Sequence, residues 1–244
     1  MANDYPTLRD SALESLESYM DSIGPDKGKK LAYWLNDYVR FLSEESTFSP
    51  DHLIRYKRGA IVKVHLGYRI GSEEGGLHYA IVLDRNNSIH SPTLTVIPLT
   101  SVKPGVDLTH LPKHRVSIGN EVYTLLLNQY THEISTARSQ LEALKKRLSN
   151  NDSSDLSEEE TKHIQSELAN VTQRIEYCKK MKRETDKMKI GSIALVGQII
   201  TISKIRIYDP KFPGDALSKI RISPKTLDIL DARIQELYGA PINS

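Results

Sequence analysis

The residues able to do chemistry in this chain are few, and none of them spells a familiar metal or nucleophile motif. The single cysteine, Cys178, cannot supply a multi-cysteine metal site. The eight histidines are spread along the chain, and no D-x-D pair, Gly-x-Ser-x-Gly elbow or Walker-type phosphate loop occurs. No cofactor is implied. What the sequence does concentrate is a glycine-framed polar loop, G-S-E-E-G-G at Gly71 to Gly76, beside a strand that ends in P-L-T-S with Thr100 and Ser101. Loop amides and strand-end hydroxyls together make a surface that can hold a phosphate. Arg69, Arg85 and Lys103 fall near this predicted groove and suit either phosphate contact or exposed salt bridging. Glu73 and Glu74 on the loop suit either a carboxylate base or acceptance of backbone hydrogen bonds within the turn.

Short strands must position that loop. Ile61, Val62, Val64 and Leu66 form one β-branched run, Ala80 to Leu83 a second and Leu94 to Leu99 a third, each bounded by Gly, Asn, Pro or Ser. V-S-I near Val116 reads as a further short strand, and Ser192 to Val196 with Gln198 to Ile207 as closing strands. Ser223 is a natural N-cap ahead of Pro224, starting a helix that buries Leu227, Leu230, Ile234 and Leu237 and ends at Gly239.

Two helical additions flank and interrupt the strands. Leu8, Leu13, Leu16, Met20 and Ile23, then Leu31, Trp34, Leu35, Tyr38, Val39 and Leu42, mark two amphipathic helices broken by G-P-D-K-G, a hairpin over residues 1–50. Its aromatics Tyr33, Trp34, Tyr38 and Phe41 suit packing against the following strands or a second subunit, or base stacking. From Glu121 a seam runs through Leu127, Tyr130, Ile134, Ala137, Leu141, Leu144 and Leu148. After N-N-D-S-S-D and a Ser157/Glu160 capping box, a second seam runs through Ile164, Leu168, Val171, Ile175 and Cys178. The spacing predicts an antiparallel helical hairpin over 121–189, roughly 35 Å long with about 25 residues per arm. It interrupts a β domain that occupies 56–120 and 190–244. The basic runs at Lys145 to Arg147 and Cys178 to Arg183 place positive charge at the hairpin's far end, as a solvated face or as an arm for RNA or a partner.

With 33 basic and 31 acidic residues and a net charge of +2, the chain is no polycation. Attraction to nucleic acid therefore has to come from a local arrangement. The N-terminus lacks the basic and apolar regions of a secretory signal, and no apolar run reaches membrane-spanning length, so a cytoplasmic protein without a membrane partner is expected.

The strand block also carries a resemblance. An Arg-Gly opening a strand (Arg58, Gly59), the G-S-E-x-G-G loop running into A-I-V-L, and a strand ending P-L-T-S resemble the PemK/MazF-type toxins of type II toxin–antitoxin systems. Gly191 to Ile207, G-S-I-A-L-V-G-Q-I-I-T-I-S-K-I-R-I, resembles that family's second signature, Gln-Ile-x-Thr-Ile-Ser-Lys-x-Arg. With the segment after Ser101 and the C-terminal helix, the likeness covers roughly half the chain on a coarse motif count.

The resemblance implies an α+β fold, a small SH3-like β-barrel to which the N-terminal hairpin, an inserted antiparallel coiled-coil hairpin and the C-terminal helix are added. It implies metal-independent cleavage of single-stranded RNA through a 2′,3′-cyclic phosphate, a homodimer and a cognate antitoxin protein. It also assigns roles. The family's catalytic threonine falls on Thr100, and the position of its catalytic arginine, in G-G-x-Arg-Pro, falls on His78 in G-G-L-H-Y. A guanidinium only stabilises anionic oxygens, whereas an imidazole, which ordinarily titrates near ~6.5, can also exchange a proton. His78 is therefore expected as general acid or base, with Thr100 and Ser101 orienting the phosphate and Glu73 acting as a base or holding the His78 tautomer. Gln198 is a substrate contact, although Ile200 stands where the family's Q-I-R-T has arginine. The competing reading is a PemK-like module that binds RNA or protein without cutting, with the helical arm serving assembly. In a further variant the N-terminal hairpin restrains the barrel in cis.

Overall fold

The computed structural model describes residues 4–150 and 157–240, so the N-N-D-S-S-D turn lies, beyond its first residue, outside the described residues. Within them the fold is α+β: five α-helices and an antiparallel seven-stranded sheet. The chain divides into two compact units, residues up to Phe48 with His65–Leu77, and Ser49–Val64 with His78 onward.

The first unit holds the two N-terminal helices, α1 (Tyr5–Ser22) and α2 (Pro25–Glu44), and the glycine-rich segment 65–77. Gly24, at φ 79°, makes the break, and Pro25 opens α2. The two helices approach closely where Gly28 sits under Met20; a Cβ at Gly28 would stand 3.0 Å from the Met20 carbonyl oxygen. Trp34 does not project for stacking with a ligand base, because its ring lies on the His65 imidazole, 4.6 Å between centroids, and touches Tyr38 and Phe41.

The second unit is organised by one long strand. The strands are β1 (Ile61–His65), β2 (Leu77–Val82), β3 (Thr93–Ser101), β4 (Val116–Gly119), β5 (Ser192–Ala194), β6 (Ile200–Ser203) and β7 (Ile207–Asp209). They are ordered β4-β5-β3-β2-β1-β7, with β6 also on β3. One edge of β3 takes β2. The other takes β6 over Thr93–Val96 and β5 over Leu99–Ser101. Both faces are buried, so the strands read as continuous apolar runs rather than alternating ones. Ile61, Ile81, Ile97, Leu99, Val116 and Ala194 share a core with α3 (Glu121–Asn150), α4 (Glu158–Lys187) and α5 (Pro224–Tyr238). Ala80, Val82, Leu94, Val96 and Ile202 are buried on the reverse face.

Three expectations about the elements need correction. The stretch from Gln198 to Ile207 is not one strand. It breaks at a 3-10 turn over Lys204–Arg206, because β6 pairs with β3 while β7 pairs with β1 and the chain must turn between partners. Each helix of the α3/α4 pair has 30 residues, about 45 Å, rather than 25. The two basic runs do not share the far end. Arg147 pairs with Glu167 and Glu133 with Arg174, so the helices are antiparallel and Lys179–Arg183 lies at the sheet end, remote from Lys145–Arg147. The seams also differ from the sequence reading. On α3 the buried positions are Val122, Leu126, Glu133, Ala137 and Leu144, while Leu127, Leu148 and, on α4, Leu168 stay exposed. Cys178 is buried against the sheet core, as an apolar group would be, and burial raises its thiol pKa.

Candidate functional site

The register of β2 against β3 decides what His78 can meet. Ala80 stands opposite Pro98 and Val82 opposite Val96. The pairing ends at Ala80; extended by two residues, the same register would bring His78 level with Thr100 on the same face, where paired strands hold Cβ atoms about 4.5–5.5 Å apart. Both are half-buried. The His78 Nδ1 lies 3.1 Å from the Leu99 carbonyl oxygen. A carbonyl only accepts, so Nδ1 carries the hydrogen, and in the neutral ring Nε2 holds the lone pair. The Leu99 backbone carbonyl accepts that hydrogen and so favours this tautomer.

The other predicted contacts do not all gather here. Ser101 pairs with Ser192 one step beyond the Thr100–Ile193 pair. Successive strand side chains alternate faces, so Ser101 points away from the face that Thr100 and His78 share, which corrects the expectation that the two hydroxyls act together. Lys103 follows β3 by two residues and is exposed. Gln198 is half-buried in a 3-10 turn just before Ile200, which pairs with Val96, so it sits level with the middle of β3 rather than with its Thr100 end. Arg85 stands in the turn past the opposite end of β2, roughly 13 Å of strand beyond His78.

Arg69 and Glu73 belong to the first unit and are committed to each other. The Arg69 Nη1 lies 3.5 Å from Glu73 Oε2, and its Nε donates to the Leu66 carbonyl at 2.7 Å. The glycines close this loop. The Gly76 amide donates to the Gly67 carbonyl at 2.8 Å, and a Cβ on Gly75 would sit 2.8 Å from that same oxygen.

Several polar groups have surroundings that the sequence does not reveal. Lys204, of the Ser-Lys-x-Arg signature, is 1% exposed rather than a surface strand residue. Its Nζ donates to the Ser88 carbonyl at 2.9 Å and lies over the Tyr56 ring, and burial lowers its pKa. Glu133 is also buried and accepts from Lys219 at 2.8 Å, Gln129 at 2.9 Å and Arg174. Burial pushes against its ionisation, but these cations outweigh that and lower its pKa. Heptad reading discards a glutamate at a seam position, so only the unpaired Arg174 and Lys219 in the sequence hinted at it. His110 and His114 are four residues apart, a spacing the sequence reading passed over. His110 bonds Asp107, and among the described residues no group of three or more His, Cys, Asp or Glu is placed to hold a metal ion. No described helix is long and apolar enough to cross a membrane.

Residues 57–172, just under half of the chain, match the family model of the PemK-like, MazF-like toxins of type II toxin–antitoxin systems. This segment runs from the opening of β1 through α3 into α4 and contains both His78 and Thr100, while the Gly191–Ile207 signature lies beyond its end. No curated protein matches the chain. Over residues 57–172 the chain is thus similar to the PemK/MazF-type toxins of type II toxin–antitoxin systems.

Proposed function

We propose that this protein is a toxin that cleaves single-stranded RNA without a metal ion, as a soluble cytoplasmic homodimer blocked by a cognate antitoxin. On this reading the sheet wraps into an SH3-like barrel, since β3 carries strands on both edges and both sheet faces are buried. α3 and α4 form an inserted antiparallel coiled coil within residues 121–189. The observation that carries the proposal is the β2–β3 register, which, extended two residues beyond the Ala80–Pro98 pair, would bring His78 level with Thr100 inside the family-matched segment.

His78 Nε2 takes the proton from a ribose 2′-OH, and the 2′-oxygen attacks the adjacent phosphorus. The bond from phosphorus to the 5′-oxygen breaks, leaving a 2′,3′-cyclic phosphate. The leaving oxygen takes up a proton, from water or from the imidazolium that has just formed. Thr100 donates its hydroxyl hydrogen to a phosphoryl oxygen as charge gathers there. Lys103, exposed beyond β3, contacts a flanking phosphate, and Gln198 lies within reach of a more distant nucleotide. Splayed, unstacked bases suit this open strand end better than a duplex.

The test is incubation of the purified chain with long single-stranded RNA in chelator. Cleavage to cyclic-phosphate ends that falls at least about 100-fold in both His78→Ala and Thr100→Ala supports the reading. Intact RNA, bound or unbound, refutes it and favours a binding module. Undiminished cleavage by both variants refutes the site.

A further inference from the structure

Behind the strand that carries His78, on the opposite face of the sheet, lies a half-buried polar cluster in which Glu184, from beyond the family-matched segment, meets Lys63 and Tyr79 within it. Tyr79, the next residue in β2, points to the face that shares its core with α3, α4 and α5, and its Oη donates to Glu184 Oε1 at 2.5 Å. The same carboxylate oxygen accepts from Lys63 Nζ of β1. The side chains of Lys63 and Glu184 are 18% and 13% exposed, and the Lys63 ammonium lies over the Tyr79 ring, 5.3 Å from its centroid. Burial and the bond to Glu184 hold the Tyr79 phenol protonated well above its usual range, so it remains a donor at any physiological pH.

One carboxylate near the end of α4 thus ties two adjacent strands. The tie falls where β2 begins, because the backbone register with β3 is set from Ala80 onward and His78 stands two residues short of it. Immobilising Tyr79 fixes the direction of the strand at its neighbour, and with it the reach of the His78 imidazole to the Leu99 carbonyl. We infer that Glu184 is a positioning residue for His78, through which the inserted helical hairpin forms part of the apparatus that aligns the reactive imidazole. This inference rests on the RNA-cleavage reading for its kinetic consequence only. A displacement of even 1 Å at a reacting group can cost on the order of 100-fold in rate, which sets the scale of the effect.

The experiment compares the full-length wild type with Glu184→Ala, Glu184→Gln and Tyr79→Phe in two readouts. The first is steady-state cleavage of single-stranded RNA, separated into kcat and KM. The second is the ¹⁵N imidazole spectrum of His78, which reports the hydrogen on Nδ1 and its bond without any substrate. Glu184→Ala is expected to lower kcat about 10- to 100-fold at unchanged KM and to weaken the Nδ1–H signature of His78. Glu184→Gln, which still offers an oxygen to Tyr79, recovers most of both, and Tyr79→Phe resembles Glu184→Ala. If Glu184→Ala does not fold, Tyr79→Phe carries the decision. A wild-type His78 spectrum in the folded Glu184→Ala and Tyr79→Phe proteins overturns the inference, as does a change in KM alone. Absence of RNA cleavage by the wild type would overturn the proposed function, and the imidazole spectra would still decide whether Glu184 positions His78.

Discussion

Replacing Asp209 by asparagine should stabilise the protein, and only above a defined pH. Asp209 sits on β7 opposite Lys63, but the Lys63 ammonium is taken by Glu184, and the Asp209 carboxylate meets the Leu217 amide at 2.9 Å, the Ala216 amide, and Asp215 and Glu184 as like-charged neighbours. Burial foremost, then those charges, push its pKa from 3.8 to about 6. Below about pH 4 both the folded and the unfolded chain hold the proton. Between about 4 and 6 the folded chain keeps a proton that the unfolded chain has released, so stability falls as pH rises and stays lower beyond 6. The full penalty is about 3 kcal/mol, nearer 2 if water reaches the partly exposed side of the group. Asparagine retains the oxygen for the Leu217 amide and carries no charge. Urea denaturation of both proteins at intervals from pH 4 to 8 should therefore give a stability difference that is smallest at pH 4 and grows to about 2–3 kcal/mol by pH 7 in favour of Asp209→Asn. A difference that does not vary with pH across that range refutes the reasoning.

Three further perturbations probe separate parts of the structure. Glu133→Ala strands Arg174 and Lys219 at the helical seam and should cost about 2–3 kcal/mol, a fall in Tm of roughly 5–10 °C at neutral pH. Because the Glu133 pKa is lowered, that loss shrinks as pH falls below about 4. Ser157→Ala removes the hydroxyl that accepts from the Glu160 amide at 3.3 Å, while the backbone N–H at 157 can still donate to the Glu160 carboxylate, and should lower stability by about 1 kcal/mol with loss concentrated in the first turn of α4 by hydrogen exchange. Gly75→Ala puts a Cβ against the Gly67 carbonyl and should speed exchange of the Gly76 amide, which donates to that oxygen; unchanged protection would show that the loop closes by other means.

Much of the architecture was legible because it rests on local rules. The Ser157 and Ser223 caps, the Gly24-Pro25 break and the first three strands follow from side-chain donors, backbone freedom and β-branching at fixed offsets, and each stands where those rules place it. What escaped was set by partners distant in sequence. Lys204 reads as a surface strand lysine until the turn at Ser88 delivers a carbonyl 116 residues away. Glu133 reads as a solvent-facing helix residue until Lys219, from the loop before α5, arrives on it. The break in the last strands is invisible in an apolar run because both of its halves pair, each with a different neighbour.

The candidate site divides along the same line. Motif position proposes His78 and Thr100, the β2–β3 register extended from Ala80 would bring them level, and Ser101 faces away from Thr100 by alternation, which adjacency in sequence conceals. Several charged groups of the molecule are held by internal partners. Arg69 and Glu73 neutralise one another within the glycine loop, Lys204 is spent on a backbone carbonyl, and Lys63 on Glu184. In the proposed mechanism Lys103 brings its positive charge to a flanking phosphate, so little of the stabilisation of the reacting phosphate comes from a field of positive charge. The work falls instead on directional groups, an imidazole with a fixed tautomer and a hydroxyl set across from it. Directional groups lose their effect with small displacements, whereas a charge does not. That sensitivity is why the rigidity behind β2, supplied by Tyr79 and Glu184, bears on the chemistry in front of it.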